Sequence, residues 1–299
     1  MAGMAGKKPD ALLFEAMRRS QEFRRCRCDF RSLTGLELRL VAAWDRDGHE
    51  FPSKPLNGFC ALLQKDPGAA ARCAAVCRGL LHQVENKWKP RHVGCHAGLW
   101  EAAVPVLADN RHVATLLAGR VAGRKPSAGE AERMARRLRR AGVAANSRHM
   151  VAAWLRTPVL PEHQIRSALH LLEVCSGRLA DAAKRALIEP SSDEPQAVKT
   201  AKEFAQRCTG SGSLTRAAAE NSAMSRGHFT RVFRRATGMT YTEYVTRVRI
   251  ERAVQALARS KRRHIEIAAE AGFGSLSQFN RAFMRYTGRT PTGVRQNGN

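Results

Sequence analysis

Hydrophobic residues recur at helical spacing through the last third of the chain. Phe229 and Phe233 are four residues apart, as are Phe279 and Phe283, so each pair shares one face of a helix. Polar and basic side chains occupy the other faces of the same segments. Residues 241–259, which lie between the pairs, also carry apolar residues at helical spacing. The pattern predicts an all-helical region over residues 197–299.

This region contains an internal repeat with an offset of 50 residues. Residues 229–240 read FTRVFRRATGMT, and residues 279–290 read FNRAFMRYTGRT. Upstream of each copy, the triplet Ala-Ala-Glu at 218–220 recurs at 268–270. Two copies of one supersecondary unit are the simplest explanation of the repeat.

Each copy predicts a helix, a tight turn and a second helix. The expected features are leading helices over 214–221 and 265–271, N-caps at Ser225 and Ser275, and C-terminal stops at Gly238 and Gly288. A helix-turn-helix places the N-terminal side chains of its second helix in the major groove of DNA. A connecting helix of about 18 residues would hold two such units about 30 Å apart, close to the ~34 Å turn of duplex DNA.

The first two thirds of the chain predict a mixed α/β fold. Apolar strands are expected over 38–44, 103–107 and 113–117, turns at 45–48 and 109–111, and helices over 59–63 and 69–84. An amphipathic stretch over 162–187 carries on one side Ile165, Leu169, Leu172, Leu179 and Ala183. Three interpretations of this stretch stay open, namely core, homodimer seam and signalling helix.

The charge of the chain narrows the choice of partner. Lys and Arg number 51 against 26 Asp and Glu, which gives a formal net charge of +25 and a sequence pI near 11.0. Residues 197–299 hold 19 of the basic residues and 6 of the acidic ones, so positive charge is densest there. This excess favours a polyanionic partner such as nucleic acid. A hydrophobic content of 43% argues against wholesale disorder.

Two further segments bear on organisation and location. Residues 188–196, IEPSSDEPQ, interrupt the helical pattern with two prolines, two serines and three acids, which predicts a linker. The N-terminus lacks the apolar stretch of a secretory signal, and no run approaches the 18 or so apolar residues of a membrane span. The expected location is cytoplasmic, without a membrane partner.

Several C-terminal motifs occur together and in register. Phe-x-Arg-x-Phe stands at 229–233 and 279–283, Gly-Phe at 272–273, and Gly-x-Thr-Pro at 288–291. With these motifs, the last 100 or so residues resemble the AraC/XylS family of transcriptional regulators. The resemblance implies a module with two helix-turn-helix units that bind adjacent major grooves of promoter DNA. It also implies an activator more often than a repressor, and therefore RNA polymerase as a partner.

The same resemblance implies which side chains face DNA. Side chains expected at the base edges are Arg226, Thr230, Arg231, Ser277, Gln278, Asn280 and Arg281, while Gly227 and Leu276 share that face without a polar side chain. Gln and Asn can pair with adenine, and Arg with guanine. Side chains expected at phosphates are Arg234, Arg235 and Arg285. One departure from the family is His264, which stands where the family usually has an apolar residue. The next residue, Ile265, is expected to fill the place in the core that this apolar side chain would take.

A second resemblance covers roughly residues 30–185. The segments NGFCALLQKDP, RCAAVC and CHAGLWEAAVPVLADNRHVATLLAGRV are similar to the PocR-type sensory domain. This resemblance implies a PAS-like sensor of small hydrocarbon derivatives, and hence a small-molecule effector. The expected fold class is α+β, with this mixed α/β sensor followed by the all-α DNA-binding domain. The expected segments are an N-terminal helical segment over 1–30, the sensor over 31–187, a linker over 188–196 and the DNA-binding domain over 197–299.

Six of the eight cysteines lie in the first third of the chain. One interpretation makes thiols and their neighbours the wall of an organic-ligand pocket, formed by Cys60, Cys73, Cys77, Cys95, His96 and Trp100. The alternative is a zinc or iron–sulfur site on the four cysteines of that set, because Cys73 and Cys77 share a helix face. The spacing matches no tight CxxC pattern, so no cofactor is assigned with certainty.

Enzymatic activity is a separate class of function. The chain contains no glycine-rich phosphate loop, GxSxG elbow or HExxH motif. A cysteine-based DNA alkylation-repair protein is the strongest enzymatic alternative, but it requires an activated thiolate in a compact cysteine cage. The sequence therefore predicts a ligand-responsive, sequence-specific DNA-binding regulator that is not an enzyme.

Overall fold

The structure divides the chain into two compact units. The computed structural model describes residues 9–45, 57–143, 146–190, 194–208 and 214–296. The helical unit contains Met1–Ala16, Ala108–Arg111 and Asp181–Asn299, and the mixed unit contains Met17–Leu107 and His112–Ala180. None of the helices in the described ranges is long and apolar enough to cross a membrane.

Two helices precede the sheet. Helix α1 spans Pro9–Arg19, and α2 spans Gln21–Thr34. Ser20 lies between them and is the N-cap of α2. Its hydroxyl accepts a hydrogen bond from the Phe23 N–H at 3.0 Å. Gly35 ends α2 at a left-handed φ of 69°. The expected N-terminal helical segment is thus helical where it is described, and its second helix continues to Thr34.

The described residues form a four-stranded sheet in the order β1-β4-β3-β2. Its strands are β1 over Arg39–Ala42, β2 over Arg91–Gly94, β3 over Trp100–Ala108 and β4 over Arg111–Val121. Strand β1 pairs antiparallel with β4, and β2 pairs antiparallel with β3. The three expected strands are therefore confirmed, although β3 and β4 are longer than the apolar runs that predicted them.

The turns and β2 differ in part from expectation. Asp109 and Asn110 form the turn between β3 and β4 with φ of 53° and 54°, whereas Arg111 already belongs to β4. Apart from Asp45, the turn expected at 45–48 lies outside the described residues. Strand β2 was not predicted, because its residues alternate between half-buried and exposed and contain no apolar run.

Five helices complete the first two thirds of the chain as described. They are α3 over Gly58–Gln64, α4 over Pro67–Lys87, α5 over Ala128–Arg140, α6 over Ser147–Leu155 and α7 over Glu162–Ile188. Helix α5 packs against α6, and α3 packs against both α4 and α6. The helices expected over 59–63 and 69–84 are confirmed as α3 and α4. Helices α5 and α6 were not predicted.

Helix α7 covers the amphipathic stretch that had three interpretations. Ile165, Leu172, Leu179 and Ala183 are buried within the chain itself, and Leu169 is half-buried. The chain's own residues therefore cover this face, which favours the core interpretation. A homodimer through residues 162–187 stays a prediction.

A buried ion pair connects three strands of the sheet. Glu101 of β3 accepts a hydrogen bond from Arg39 of β1 at 2.6 Å, and Arg120 of β4 lies 3.5 Å from the same carboxylate. All three side chains are at most 12% exposed. Beside them Gly119 adopts a φ of 140°, and a Cβ there would lie 2.6 Å from Glu101 Cα. Only glycine permits this close approach of β4 to β3.

Seven helices form the C-terminal part of the helical unit as described. They are α8 over Gln196–Arg207, α9 over Leu214–Asn221, α10 over Arg226–Thr237, α11 over Tyr241–Arg259, α12 over His264–Glu270, α13 over Leu276–Thr287 and α14 over Pro291–Gln296. The all-helical prediction and both helix-turn-helix units are confirmed. Helix α7 ends at Ile188 and α8 begins at Gln196, the two ends of the expected linker, of which residues 191–193 are not described.

The two turns differ in length by one residue. Met224 N–H donates to Ala219 O in the first unit, and Phe273 N–H donates to Ala268 O in the second. These bonds make Ala219 equivalent to Ala268, an offset of 49, whereas the N-caps Ser225 and Ser275 keep the offset of 50. The Ala-Ala-Glu correspondence is therefore wrong by one residue, because the second turn contains one residue more before its N-cap.

The gap expected at His264 is not filled by Ile265. Ile265 is 58% exposed, so it does not pack in the core. His264 itself is half-buried at the start of α12, and burial lowers the pKa of its imidazole. The core of this unit closes instead on Ile267 and Ala268, which are both buried.

A buried arginine lies in the middle of α11. Arg247 is 7% exposed and forms an ion pair with Asp109, at 2.6 Å between Nη2 and Oδ2. Its guanidinium also lies 5.5 Å from the centre of the Tyr286 ring. Both partners belong to the helical unit. A buried charge needs such a partner, because desolvation without one is costly.

Candidate nucleic-acid interface and sensor groove

Helices α10 and α13 bury one face and expose the other. Phe229 and Phe233 of α10 are at most 1% exposed, and so are Phe279 and Phe283 of α13. The hydroxyls of Ser225 and Ser275 accept the N–H groups of His228 and Gln278, and Gly238 and Gly288 end the helices in the left-handed conformation. Each helix is thus fixed at both ends and along its buried face, which holds its outer face in one orientation.

The exposed face of α10 contains few free polar groups at the expected base-reading positions. Arg226 and Arg231 are exposed, and Gly227 has no side chain. Thr230 is half-buried, and its hydroxyl donates a hydrogen bond to Arg226 O at 2.8 Å. Because this hydroxyl bonds within its own helix, the two arginines carry most of the hydrogen-bonding capacity of this face.

The exposed face of α13 is more polar. Ser277, Gln278, Asn280 and Arg281 are all exposed on it, together with Leu276, which is 37% exposed. These side chains include amide and guanidinium groups, which form bidentate hydrogen bonds with base edges. The sequence prediction thus places more potential base contacts on the second helix than on the first, and their exposure permits that role.

Two of the three arginines expected at phosphates, Arg234 and Arg285, act electrostatically on one carboxylate. Arg234, Arg235 and Arg285 are exposed. Glu243 receives hydrogen bonds from the Thr240 N–H and hydroxyl, and these bonds, aided by the charges of Arg285 and Arg234, hold the pKa of its carboxyl below the usual range. Glu243 is therefore ionised at neutral pH and lies within electrostatic reach of an arginine from each helix-turn-helix unit.

The four cysteines of the predicted metal site do not come together in one site. Cys60 belongs to the core cluster that contains Phe59 and Trp154, and Cys73 and Cys95 pack against that cluster. Cys77 packs in another cluster, with Leu80 and Val84. Among the described residues, no three His, Cys, Asp or Glu side chains are grouped so that they could hold a metal ion. The four-cysteine metal site is therefore not assembled, because α4 directs Cys77 into a separate core.

Burial also sets the chemistry of these thiols. It raises the pKa of Cys60 and of Cys77 to about 12, and it raises the pKa of Cys73 and Cys95 as well. Cys73 Sγ lies 3.1 Å from His96 Nε2, and burial lowers the pKa of that imidazole. At neutral pH these thiols are protonated, so they are poor nucleophiles. This finding gives the alkylation-repair alternative no activated cysteine in this cluster.

An open groove lies elsewhere in the mixed unit. Its volume is about 690 Å³, and its lining includes Trp100, Trp154, Ile165 and Leu169. Of the six residues predicted to bind ligand, Trp100 alone is part of this lining. The other lining residues come from β2 and the loop after it, and from the segments between the end of β4 and the first turns of α7. No sequence signal singled them out, because the groove is assembled from segments far apart in the chain.

Comparison with known families assigns both regions of the chain. A protein-family model described as a sensory domain found in PocR matches residues 19–184, which is more than half of the chain. The chain belongs to the PocR sensory-domain family. A second model, described as a helix-turn-helix domain, matches residues 218–297 of this PocR-domain protein. The PocR sensory domain is therefore followed by an AraC-type helix-turn-helix domain, as both resemblances implied.

Two curated relatives match part of this PocR-domain protein. It is 38% identical over 78 residues to a helix-turn-helix-type transcriptional regulator of Mycobacterium tuberculosis, a match to 26% of this chain and 30% of that protein. It is 24% identical over 140 residues to the Msm operon regulatory protein of Streptococcus mutans, which covers 47% of this chain and 50% of that protein. The chain thus spans half or less of the length of these relatives.

A solved structure is also similar to part of the chain. The C-terminal domain of AraT, a response regulator from Geobacillus stearothermophilus, shares 23% sequence identity with the chain at a TM-score of 0.34. The match covers 36% of this chain and 88% of that one.

Proposed function

We infer that this PocR-domain protein is a ligand-responsive transcription regulator that binds promoter DNA through α10 and α13. The observation that carries this conclusion is the pair of capped helices in one unit, each with its phenylalanines buried and its basic face exposed. Two recognition helices connected by one long helix suit two successive major grooves. The sensory domain supports regulation by a small molecule.

We propose a separate role for each of three segments of the chain. Residues 31–187 sense the effector, residues 188–196 connect, and residues 197–299 bind DNA. We propose activation as the regulatory role, with RNA polymerase as the protein partner, because activation is the commoner role in the AraC/XylS family that the C-terminal region resembles. A homodimer through residues 162–187 is not part of this proposal, because the chain's own residues cover the apolar face of α7.

The test of DNA binding begins with the full chain and a pool of random duplexes, from which the preferred sequence is selected. Binding to that sequence is then measured for Arg281→Ala, and for Arg140→Ala as a control that removes an exposed arginine of α5. If Arg281 reads a base, its loss costs about 1–3 kcal/mol and relaxes specificity at one position. The control variant keeps the affinity and specificity of the natural chain.

A phosphate contact has a different signature in the same assay. Loss of Arg285 is expected to weaken binding to all sequences alike and to reduce the slope of log affinity against log salt by about 1. The absence of any preferred sequence in the selection would contradict the proposed function. Equal specificity of Arg281→Ala and the natural chain would contradict the role of α13.

A further inference from the structure

We propose that the groove lined by Trp100 and Trp154 is the effector site, and that its effector is an uncharged aromatic molecule with a hydrogen-bonding oxygen. This inference deepens the proposed function and rests on it, because a regulator needs a site for the molecule that it senses. Of the residues in the cysteine-based interpretation, Trp100 alone lines this groove, whose volume of about 690 Å³ exceeds those of two other cavities in the described residues, of about 260 and 380 Å³.

The size of the groove suits a small organic ligand. Its volume of about 690 Å³ lies within the range of about 300–1,000 Å³ that ligand pockets occupy in proteins. All of its lining residues lie in the mixed unit, between His92 and Leu169. The site is therefore complete within one unit of one chain.

Three aromatic rings line the groove, those of His92, Trp100 and Trp154. Trp154 is 8% exposed and is held by an edge-to-face contact with Phe59, at 4.9 Å between ring centres. Trp100 lies against the His92 ring at 5.4 Å with an angle of 30° between the planes. Ile165 and Leu169 add aliphatic surface. Rings fixed in this way favour a flat aromatic ligand by stacking and edge contacts.

The charged residues at the groove are balanced. Arg124 and Arg166 supply two cations, and Glu130 and Glu162 supply two anions. Arg124 and Glu130 form an ion pair with each other. Hydrogen bonds from the Ser127 N–H and hydroxyl lower the pKa of the Glu130 carboxyl, so it is ionised at neutral pH. A charged ligand would find no excess of opposite charge here to offset its desolvation, which favours an uncharged one.

The indole of Trp154 adds a reason to expect an oxygen on the ligand. Its Nε1 is buried, and no described residue accepts a hydrogen bond from it. Buried donors without a partner are rare in folded proteins, so this one calls for an explanation. Because Trp154 lines the groove, a hydroxyl or carbonyl oxygen of the ligand is the acceptor that we propose for this donor.

The groove offers a position at which it can be filled without disturbing the fold. Gly123 is a lining residue, and a Cβ added to it would meet no atom within 4 Å. Gly79 on α4 has the same open surroundings but is not part of the lining. Gly123→Leu therefore places a bulky side chain at the groove, while Gly79→Leu is a matched control for the added volume.

The experiment measures binding to the full chain without DNA, by tryptophan fluorescence and by thermal shift. The probes are benzyl alcohol, benzaldehyde and benzamide, compared with benzoate and benzylamine as charged analogues and with propane-1,2-diol as a non-aromatic one. We expect at least one uncharged aromatic probe to bind about tenfold more tightly than both charged analogues. We expect Gly123→Leu to weaken that binding by about tenfold or more, and Gly79→Leu to leave it unchanged.

Three results would overturn the inference. They are saturable binding that Gly123→Leu does not weaken, equal or tighter binding of the charged or non-aromatic probes, and no binding of any uncharged aromatic probe at millimolar concentration. DNA affinity of both variants, measured without probe, separates this inference from the proposed function. If the chain binds probes as expected but selects no DNA sequence, the regulator assignment fails and the groove assignment stands.

Discussion

The two helix-turn-helix units of this chain share one design and differ in how they are supported. In the first unit, formed by α9 and α10, Phe229 and Phe233 pack with Tyr241 of α11 at 5.2 and 5.1 Å between ring centres. The Tyr241 hydroxyl donates to Ala201 O of α8 at 3.0 Å. The Tyr244 hydroxyl donates to Ile188 O at the end of α7 at 2.6 Å. The first unit is thus tied to the helices that precede it.

The second unit, formed by α12 and α13, has a smaller core and a more polar outer face. Phe279 and Phe283 pack with Ile250 and Leu257 of α11 and with residues of α12. No described tyrosine of α12 or α13 donates a hydrogen bond to α8, whereas Tyr241 of α11, which packs against the first unit, does. Two copies of the same supersecondary unit thus differ in core size and in their bonds to the preceding helices. We propose that the first unit serves mainly for attachment and the second mainly for reading DNA.

The largest expected effect comes from removing the corresponding phenylalanines. Phe233→Ala and Phe283→Ala each create a cavity at a position that is fully buried, which costs about 3–5 kcal/mol of unfolding free energy. We expect Phe233→Ala to loosen α8, α10 and α11 together, because the aromatic cluster connects them. Phe283→Ala is expected to loosen α12 and α13 while α8 stays protected.

Hydrogen exchange read residue by residue distinguishes these outcomes. If both variants lost protection across the same helices, the two units would form one cooperative structure, and the proposed difference in support would be wrong.

The next effect concerns corresponding positions on the recognition helices. Asn280→Ala removes an exposed amide, so it is expected to cost about 1–3 kcal/mol of DNA-binding free energy at one base position. Thr230→Ala removes a hydroxyl that already bonds to Arg226 O, so it is expected to change affinity for DNA very little. Fluorescence anisotropy on the selected duplex measures both. A larger loss for Thr230→Ala than for Asn280→Ala would reverse the assignment of roles.

The turns allow a third comparison, of smaller size. Gly272 has a φ of 93°, so Gly272→Ala is expected to lower the free energy of unfolding by about 1 kcal/mol or more. Ala223 already has a φ of 51° without being glycine. Ala223→Gly is expected to change stability by less than about 1 kcal/mol, because relief of backbone strain and added freedom of the unfolded chain oppose each other. Urea denaturation measures both variants, and equal losses would contradict this account.

Alkaline pH provides the smallest expected difference. Burial raises the pKa of Tyr241, Tyr244 and Tyr286 above the ordinary value of 10.0. A raised pKa in the folded state means that stability is present below pH 10 and is lost as pH rises beyond it. The loss is below about 1 kcal/mol per tyrosine half a pH unit above that value. The first unit contacts two of these tyrosines, so its helices are expected to lose protection first between pH 10 and 11.

The helical region was predictable from sequence because its signals are local. Each buried pair of phenylalanines, each serine N-cap and each glycine C-cap specifies structure within one or two turns of helix. The one-residue difference between the turns was not predictable in this way. Residue identity aligned Ala218 with Ala268. In the structure, the two buried positions 218 and 219 correspond instead to Ile267 and Ala268.

The sensory region was less predictable because its sites are assembled from distant segments. Helix α5 did carry a usable signal, since Ser127 and Glu130 form a capping box that is visible in sequence. The groove had no such signal, because β2, β3, α6 and α7 each contribute only a few residues to it. The sequence suggested that the cysteines form one site, but Cys73 and Cys77 of α4 pack in two different core clusters.

The central claim is that both helix-turn-helix units of one chain bind DNA together. Hydroxyl-radical footprinting of the full chain on its selected duplex tests this claim most directly, with Asn280→Ala beside the natural chain. We expect two protected segments on one face of the duplex, with centres about 10 base pairs apart, and weaker protection at one segment in the variant. A single protected segment, or a variant that weakens both segments equally, would contradict the claim.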